Sequence, residues 1–138
     1  MQIGEELIEK EILIESCSNG VLEVESFIDE FRQNNKIDDE IFGNILVAVT
    51  EAVNNAIIHG NKMDKSKSVR LVIRKRRNVV TCNIKDEGNG FDYNNLPDPT
   101  APENIECLGG RGVFLMKHLA DLVVFSSDGS NVEIQFRV

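Results

Sequence analysis

A chain of 138 residues, 41% hydrophobic and 28% charged, is most simply one globular domain (residues 1–138) with enough apolar material for a real core. Its net charge of −8 argues against direct nucleic-acid binding, because phosphate backbones are held by lysine and arginine. No apolar run approaches the length of a membrane span, and the N-terminus lacks a basic, then apolar, then small-residue signal pattern; the expectation is a cytoplasmic protein with no membrane partner.

In chain order, Glu9 to Cys17 alternates around Ile12 and Ile14 and predicts a strand. Asn19 is placed to cap a helix running to about Gln33, with Val21, Leu22, Val24, Phe27, Ile28 and Phe31 inward. A longer helix is expected to open near Asp38, where Asp38, Asp39 and Glu40 suit the positive end of a helix dipole. It should run through His59 and close at Gly60-Asn61 as a left-handed terminator. At about 100° per residue, Ile41, Phe42, Ile45, Leu46, Val49, Ala52, Val53, Ala56 and Ile57 fall on one apolar arc, with Asn44, Glu51 and Asn55 as a polar stripe at its border. Val69 to Arg76 and Val79 to Lys85 predict two strands joined by a tight turn at Arg77-Asn78. A loop with Pro97, Pro99 and Pro102 excludes a regular element there. Gly109-Gly110-Arg111-Gly112 then leads into a short helix through Ala120. Leu122 to Ser126 and Val132 to Val138 should form a last hairpin across residues 127–130. Helices cluster early and strands pair late, so the expected class is α+β, a two-layer sandwich whose mixed, mostly antiparallel sheet carries its helices on one face.

Cys17, Cys82 and Cys107 are odd in number and show no C-x-x-C pattern, and so read as reduced residues packed as small hydrophobes. His59 and His118 read as structural, and the seven phenylalanines, Phe114 among them, as core. The charge is uneven. Residues 1–40 hold twelve acidic side chains against Lys10, Arg32 and Lys36, whereas nine of the fifteen basic ones lie between Lys62 and Lys85. Such clusters form solvated faces, and their asymmetry would suit a charged protein partner.

Three local patterns can carry chemistry. Glu51 and Asn55 sit one helical turn apart within an apolar run, as edge residues of a surface helix or as a polar pair serving a hydrated metal and a phosphate chain. Asp86-x-Gly88-x-Gly90 follows a strand; it is either a glycine-rich turn or a grip for a planar base, the carboxylate accepting from an exocyclic amine. Gly109-Gly110-Arg111-Gly112 either opens a loop or presents free amides to a phosphate at a helix start. In the second case the stretch from Tyr93 to Leu108 reads as a cover over that site.

In order and spacing these patterns resemble the N, G1 and G2 boxes of the GHKL superfamily, which shares the Bergerat ATP-binding fold, over roughly Asp38 to Val138. The form Glu-Ala-Val-x-Asn-Ala-Ile-x-His-Gly, here Glu51 to Gly60, is similar to that of the bacterial anti-sigma-factor serine kinases of stress and sporulation switches. The resemblance implies that Asn55 ligates Mg2+ bridging the triphosphate of ATP and that Glu51 is the general base toward a substrate serine. It further implies that Asp86 binds adenine, with Gly88 and Gly90 shaping the pocket floor, and that Gly110 and Gly112 face the phosphates. Ser130 stands where the family usually has threonine. The loop before Gly109 holds no arginine, leaving Arg111 or a residue from elsewhere to steady the terminal phosphate. The implied partners are an anti-sigma-factor antagonist as substrate, an RNA polymerase sigma factor as the sequestered protein, and a second copy of the chain. Two alternatives stand beside this: an ATP-dependent sequestering protein without kinase activity, and the ATP-binding module of a sensor histidine kinase, which would need a histidine-bearing helix upstream.

Overall fold

In the computed structural model, the described residues are 7–17, 19–88, 108–126 and 129–138. Among the described residues nine elements follow one another: β1 (Ile8–Glu15), α1 (Gly20–Asn35), α2 (Asp39–Asn55), a π-helical turn (Ala56–Gly60), β2 (Ser68–Arg76), β3 (Val79–Lys85), α3 (Leu108–Leu119), β4 (Leu122–Ser126) and β5 (Asn131–Arg137). The sheet order is β1-β2-β3-β5-β4. Every described pairing is antiparallel, so the sheet is purely antiparallel rather than mixed.

Period-two alternation decides which face each strand buries. Val80, Cys82 and Ile84 on β3 and Val132, Ile134 and Phe136 on β5 point into the core, where they meet Ile45, Ala48, Val49, Ala52 and Val53 of α2. Val24, Ile28 and Phe31 of α1 and Val113 and Met116 of α3 complete the layer. The result is the expected two-layer sandwich. Burial removes the Cys82 thiol from water and pushes its pKa far up, so it packs as a reduced hydrophobe; Cys17 is also unbridged, and Cys107 lies outside the described residues.

The connection between α1 and α2 is built locally. Lys36 takes the left-handed conformation (φ 46°) that ends α1, and Ile37 behind it is buried. Arg32 pairs with Asp39 and lies over the Phe42 ring, 4.4 Å from its centre, closing the corner. Asn19 and Asp38 occupy the N-cap positions as expected, but neither makes a side-chain capping bond.

Several expectations are corrected. Leu22 (66% exposed) and Phe114 (44%) face outward; Phe114 instead stacks on His118, ring centres 6.2 Å apart. The long helix does not end on a left-handed Asn61, whose φ of −88° is ordinary; the left-handed residues are Lys62 and Met63. Its last turn widens to π geometry, with the Asn61 amide donating to the Ala56 carbonyl at 2.8 Å. Asp39–Gly60 forms a 22-residue helical run apolar enough to cross a membrane by length and composition, so such a run does exist; its buried face packs in the core described above. Finally, Gly109, Gly110, Arg111 and Gly112 lie inside the first turns of α3 rather than ahead of it.

Candidate functional site

The end of β3 meets the end of α2 at a small, open cleft. Asp86, Asn55 and Ser130 reach it together, with Ala52, Ala56, Ile84, Met116, Phe125 and Val132 among the apolar walls. Residues 31 positions apart, on a helix and past a strand, thus share one concavity that combines three polar residues with an apolar lining, the makeup of a small-molecule site.

Asp86 is 7% exposed. Its amide donates to the Ser130 carbonyl at 2.9 Å, an extension of the β3–β5 ladder that sets the carboxylate at the cleft. Gly129, at φ 96°, supplies the left-handed turn that brings Ser130 there. Burial raises the Asp86 pKa, opposed by the Gly88 amide donating to Oδ1 at 2.8 Å and by the charge of Lys67. The carboxylate therefore sits where its charged form is under-solvated and gains from an added donor.

Two glycines are required by close approach. A methyl group on Gly60 would overlap the Asp86 carboxylate, and one on Gly88 would overlap the Gly60 carbonyl. Gly88, expected in the pocket floor, is not among the residues that line the cleft; it lets the loop after β3 lie directly on the end of the α2 helical run. Gly90 lies outside the described residues.

Asn55 is the last residue of α2 and is half-buried, and its Nδ2 atom is buried without a hydrogen-bond partner. Leaving such a group unsatisfied costs about 1–3 kcal/mol, so the amide is poised for something that enters the cleft. Oxygen and nitrogen of an amide exchange by a half-turn of the side chain, so this group can present either a donor to a phosphate oxygen or an acceptor to a hydrated cation. Glu51 and Asn44 are half-buried on the same helix but do not line the cleft.

The amides of Gly109, Gly110 and Arg111 belong to the first turn of α3, whose N–H groups lack intrahelical partners. The side chains at residues 108–112 and the loop 89–107 lie outside the described residues. Two turns along the same helix, Met116 forms part of the cleft wall.

One polar residue of this region was not anticipated. Asn61, read as a helix terminator, is 1% exposed and ties three segments together. Its Nδ2 donates to Ser16 Oγ (2.8 Å) and to the Ser68 carbonyl (3.1 Å), while its Oδ1 accepts from the Glu87 amide (2.7 Å). These partners are 45, 7 and 26 residues away, and nothing local distinguishes such an asparagine from one that merely ends a helix.

The sequence pattern of the histidine kinase-like ATPase domain family matches residues 18–137. Over 94 residues (62% of the chain) it is 34% identical to the serine-protein kinase RsbW of Bacillus subtilis, and over 88 residues (59%) it is 31% identical to that of Oceanobacillus iheyensis. Each match spans 56% of the relative's own length. Among solved structures, one of the RsbU and RsbW domains of a Mycobacterium tuberculosis protein shares the fold, with a TM-score of 0.67 at 16% identity over 94% of this chain and 32% of that one.

Proposed function

Because the chain belongs to the histidine kinase-like ATPase domain family, we propose that it is an ATP-dependent protein-serine kinase acting on an anti-sigma-factor antagonist. When that antagonist is unavailable, it sequesters an RNA polymerase sigma factor. The observation that carries this reading is the pairing, in one apolar cleft, of a buried, under-solvated carboxylate on Asp86 with an unpartnered amide on Asn55. Asp86 accepts from the exocyclic amine of adenine, the apolar walls receive the ring, and Asn55 turns its amide toward the triphosphate. At the start of α3, Gly110 supplies a free backbone amide, Gly112 lets the phosphates approach the helix closely, and Arg111 supplies a cation.

Asn55 would also hold Mg2+ through its amide oxygen; the unpartnered Nδ2 leaves the amide free to turn that oxygen into the cleft. A bound magnesium ion neutralises phosphate charge and orients the transferred group. Glu51, one turn before Asn55 on α2, takes the proton from the incoming serine hydroxyl. Protein partners suit a chain whose acidic and basic side chains segregate along its length and whose net charge is −8. The proposal places it in the cytoplasm as a homodimer, without nucleic-acid or membrane contacts.

That Glu51 stays outside the cleft lining favours a second reading, in which nucleotide controls capture of the sigma factor and no phosphoryl group moves. Incubation with Mg-ATP and a candidate antagonist, followed by detection of phosphoserine, separates the two. For the kinase, Glu51→Gln retains ATP binding and loses single-turnover phosphorylation by roughly 10²–10⁴-fold. Equal rates in both proteins would remove Glu51 as the base.

A further inference from the structure

Asn61 spends all of its side-chain bonding on the scaffold of the cleft. Its backbone amide is held by the π turn that continues the Asn55 helix. Its Oδ1 accepts from the amide of Glu87, the residue between Asp86 and Gly88. One short side chain therefore bridges the helix that carries Asn55 to the loop that carries Asp86. Gly60 and Gly88 make the same junction through backbone contact on either side of it. The far end of the amide is anchored by the Ser68 carbonyl and Ser16 Oγ. The Glu87 carboxylate adds a second tie to β2 by accepting from the Ser68 amide at 2.5 Å.

We propose that Asn61 is a positioning residue for base recognition: through the Glu87 amide it fixes where the Asp86 carboxylate stands relative to Asn55, and so contributes to the choice of a 6-aminopurine over a 6-oxopurine. The proposal rests on the reading that Asp86 receives the adenine amine. The chemistry of the side chain is specific. Asparagine offers an acceptor to Glu87 and two donors to Ser16 and Ser68 at once, whereas aspartate keeps only the acceptor and alanine neither. Without the acceptor, the Glu87 amide is left unpaired in a partly buried loop, and the loop relaxes by moving Asp86.

The test compares four variants by calorimetric titration with Mg-ATP and Mg-GTP, alongside thermal unfolding. Asn61→Ala is expected to lose at least about tenfold in ATP affinity and most of its preference over GTP. Ser16→Ala, which removes one distant anchor, lowers the unfolding temperature but keeps affinity and preference within about twofold. Asn61→Asp keeps the Glu87 contact and so keeps the preference, also at lower unfolding temperature; this variant carries the test if Asn61→Ala does not fold. An Asn61→Ala protein with the normal ATP preference, or an Asn61→Asp protein that loses it, overturns the proposal. Asp86→Asn separates the two levels of inference. If it too retains the preference, the adenine reading itself fails; if it loses the preference while Asn61→Ala retains it, only the role of Asn61 fails.

Discussion

The two ends of β3 solve the same problem, how to end a strand in polar residues, in opposite ways. At the Val79 end, the hairpin turns through Arg77 (φ 56°) and sets Arg74, Lys75 and Arg76 toward water. One of its charges meets the edge strand in an exposed pair, Arg74–Glu9 at 2.8 Å. At the Lys85 end, Asp86 and Asn61 are buried, and the Asn61 side chain joins segments up to 45 residues apart. Exposed charges are screened and replaceable by water. Buried groups have only the partners the fold provides, so one end tolerates substitution and the other does not.

That contrast breaks most visibly at Gly88. Gly88→Ala forces a methyl group onto the Gly60 carbonyl, a backbone atom that cannot swing away. The expected loss is on the order of 3 kcal/mol, the upper part of the range for overpacking, read from denaturant unfolding. A stability equal to that of the parent protein would show that the loop is not seated on the helix end.

Asp86→Asn should weaken ATP by about 1.5–3 kcal/mol, the worth of a hydrogen bond to a charged group, in calorimetric titration. Its effect on the fold depends on pH. Because burial raises the Asp86 pKa above its ordinary carboxylate value, the folded state binds its proton more tightly than the unfolded chain does. The parent protein's stability from this group is full below that value and is lost as pH rises through the folded pKa. The asparagine variant has no such loss, so its stability relative to the parent should increase across that window. A pH-independent difference would mean that the carboxylate is not desolvated.

Asn55→Ala sharpens the comparison from the other side. Removing the orphaned amide should leave the nucleotide-free protein as stable as before or up to ~1 kcal/mol more stable, since alanine is a better helix former. Mg-ATP binding should disappear. Destabilisation with intact binding would make the amide a structural group. At the hairpin end, Arg74→Ala removes an exposed ion pair and should cost no more than ~1 kcal/mol, the cost shrinking further in high salt. A larger, salt-insensitive cost would place the hairpin in the same class as the cleft.

Strand β3 was legible to the residue, because Val80, Cys82 and Ile84 alternate with polar neighbours between two turn signals. The Asp38–Asp39–Glu40 helix start was equally plain, as was the pairing of the last two strands. Asn55 and Asp86 stood out because each lies at the end of an element that local pattern defines, whereas Ser130 was named only through the family resemblance. Leu22 and Phe114 were misplaced because hydrophobicity says what could be buried, while the helix rotation against its neighbours says what is.

From the sequence alone came the order of elements, the apolar faces and the chemical types at the cleft, since all of these depend on neighbours within a few residues. Only the tertiary structure decided that the helix end widens into a π turn, that Gly88 rests on Gly60, and that Asn61 is an interior brace rather than a terminator. The reason is distance along the chain. A buried asparagine is stable only because Ser16, Ser68 and Glu87 arrive from three separate segments to meet it, and no local pattern records a partner 45 residues away.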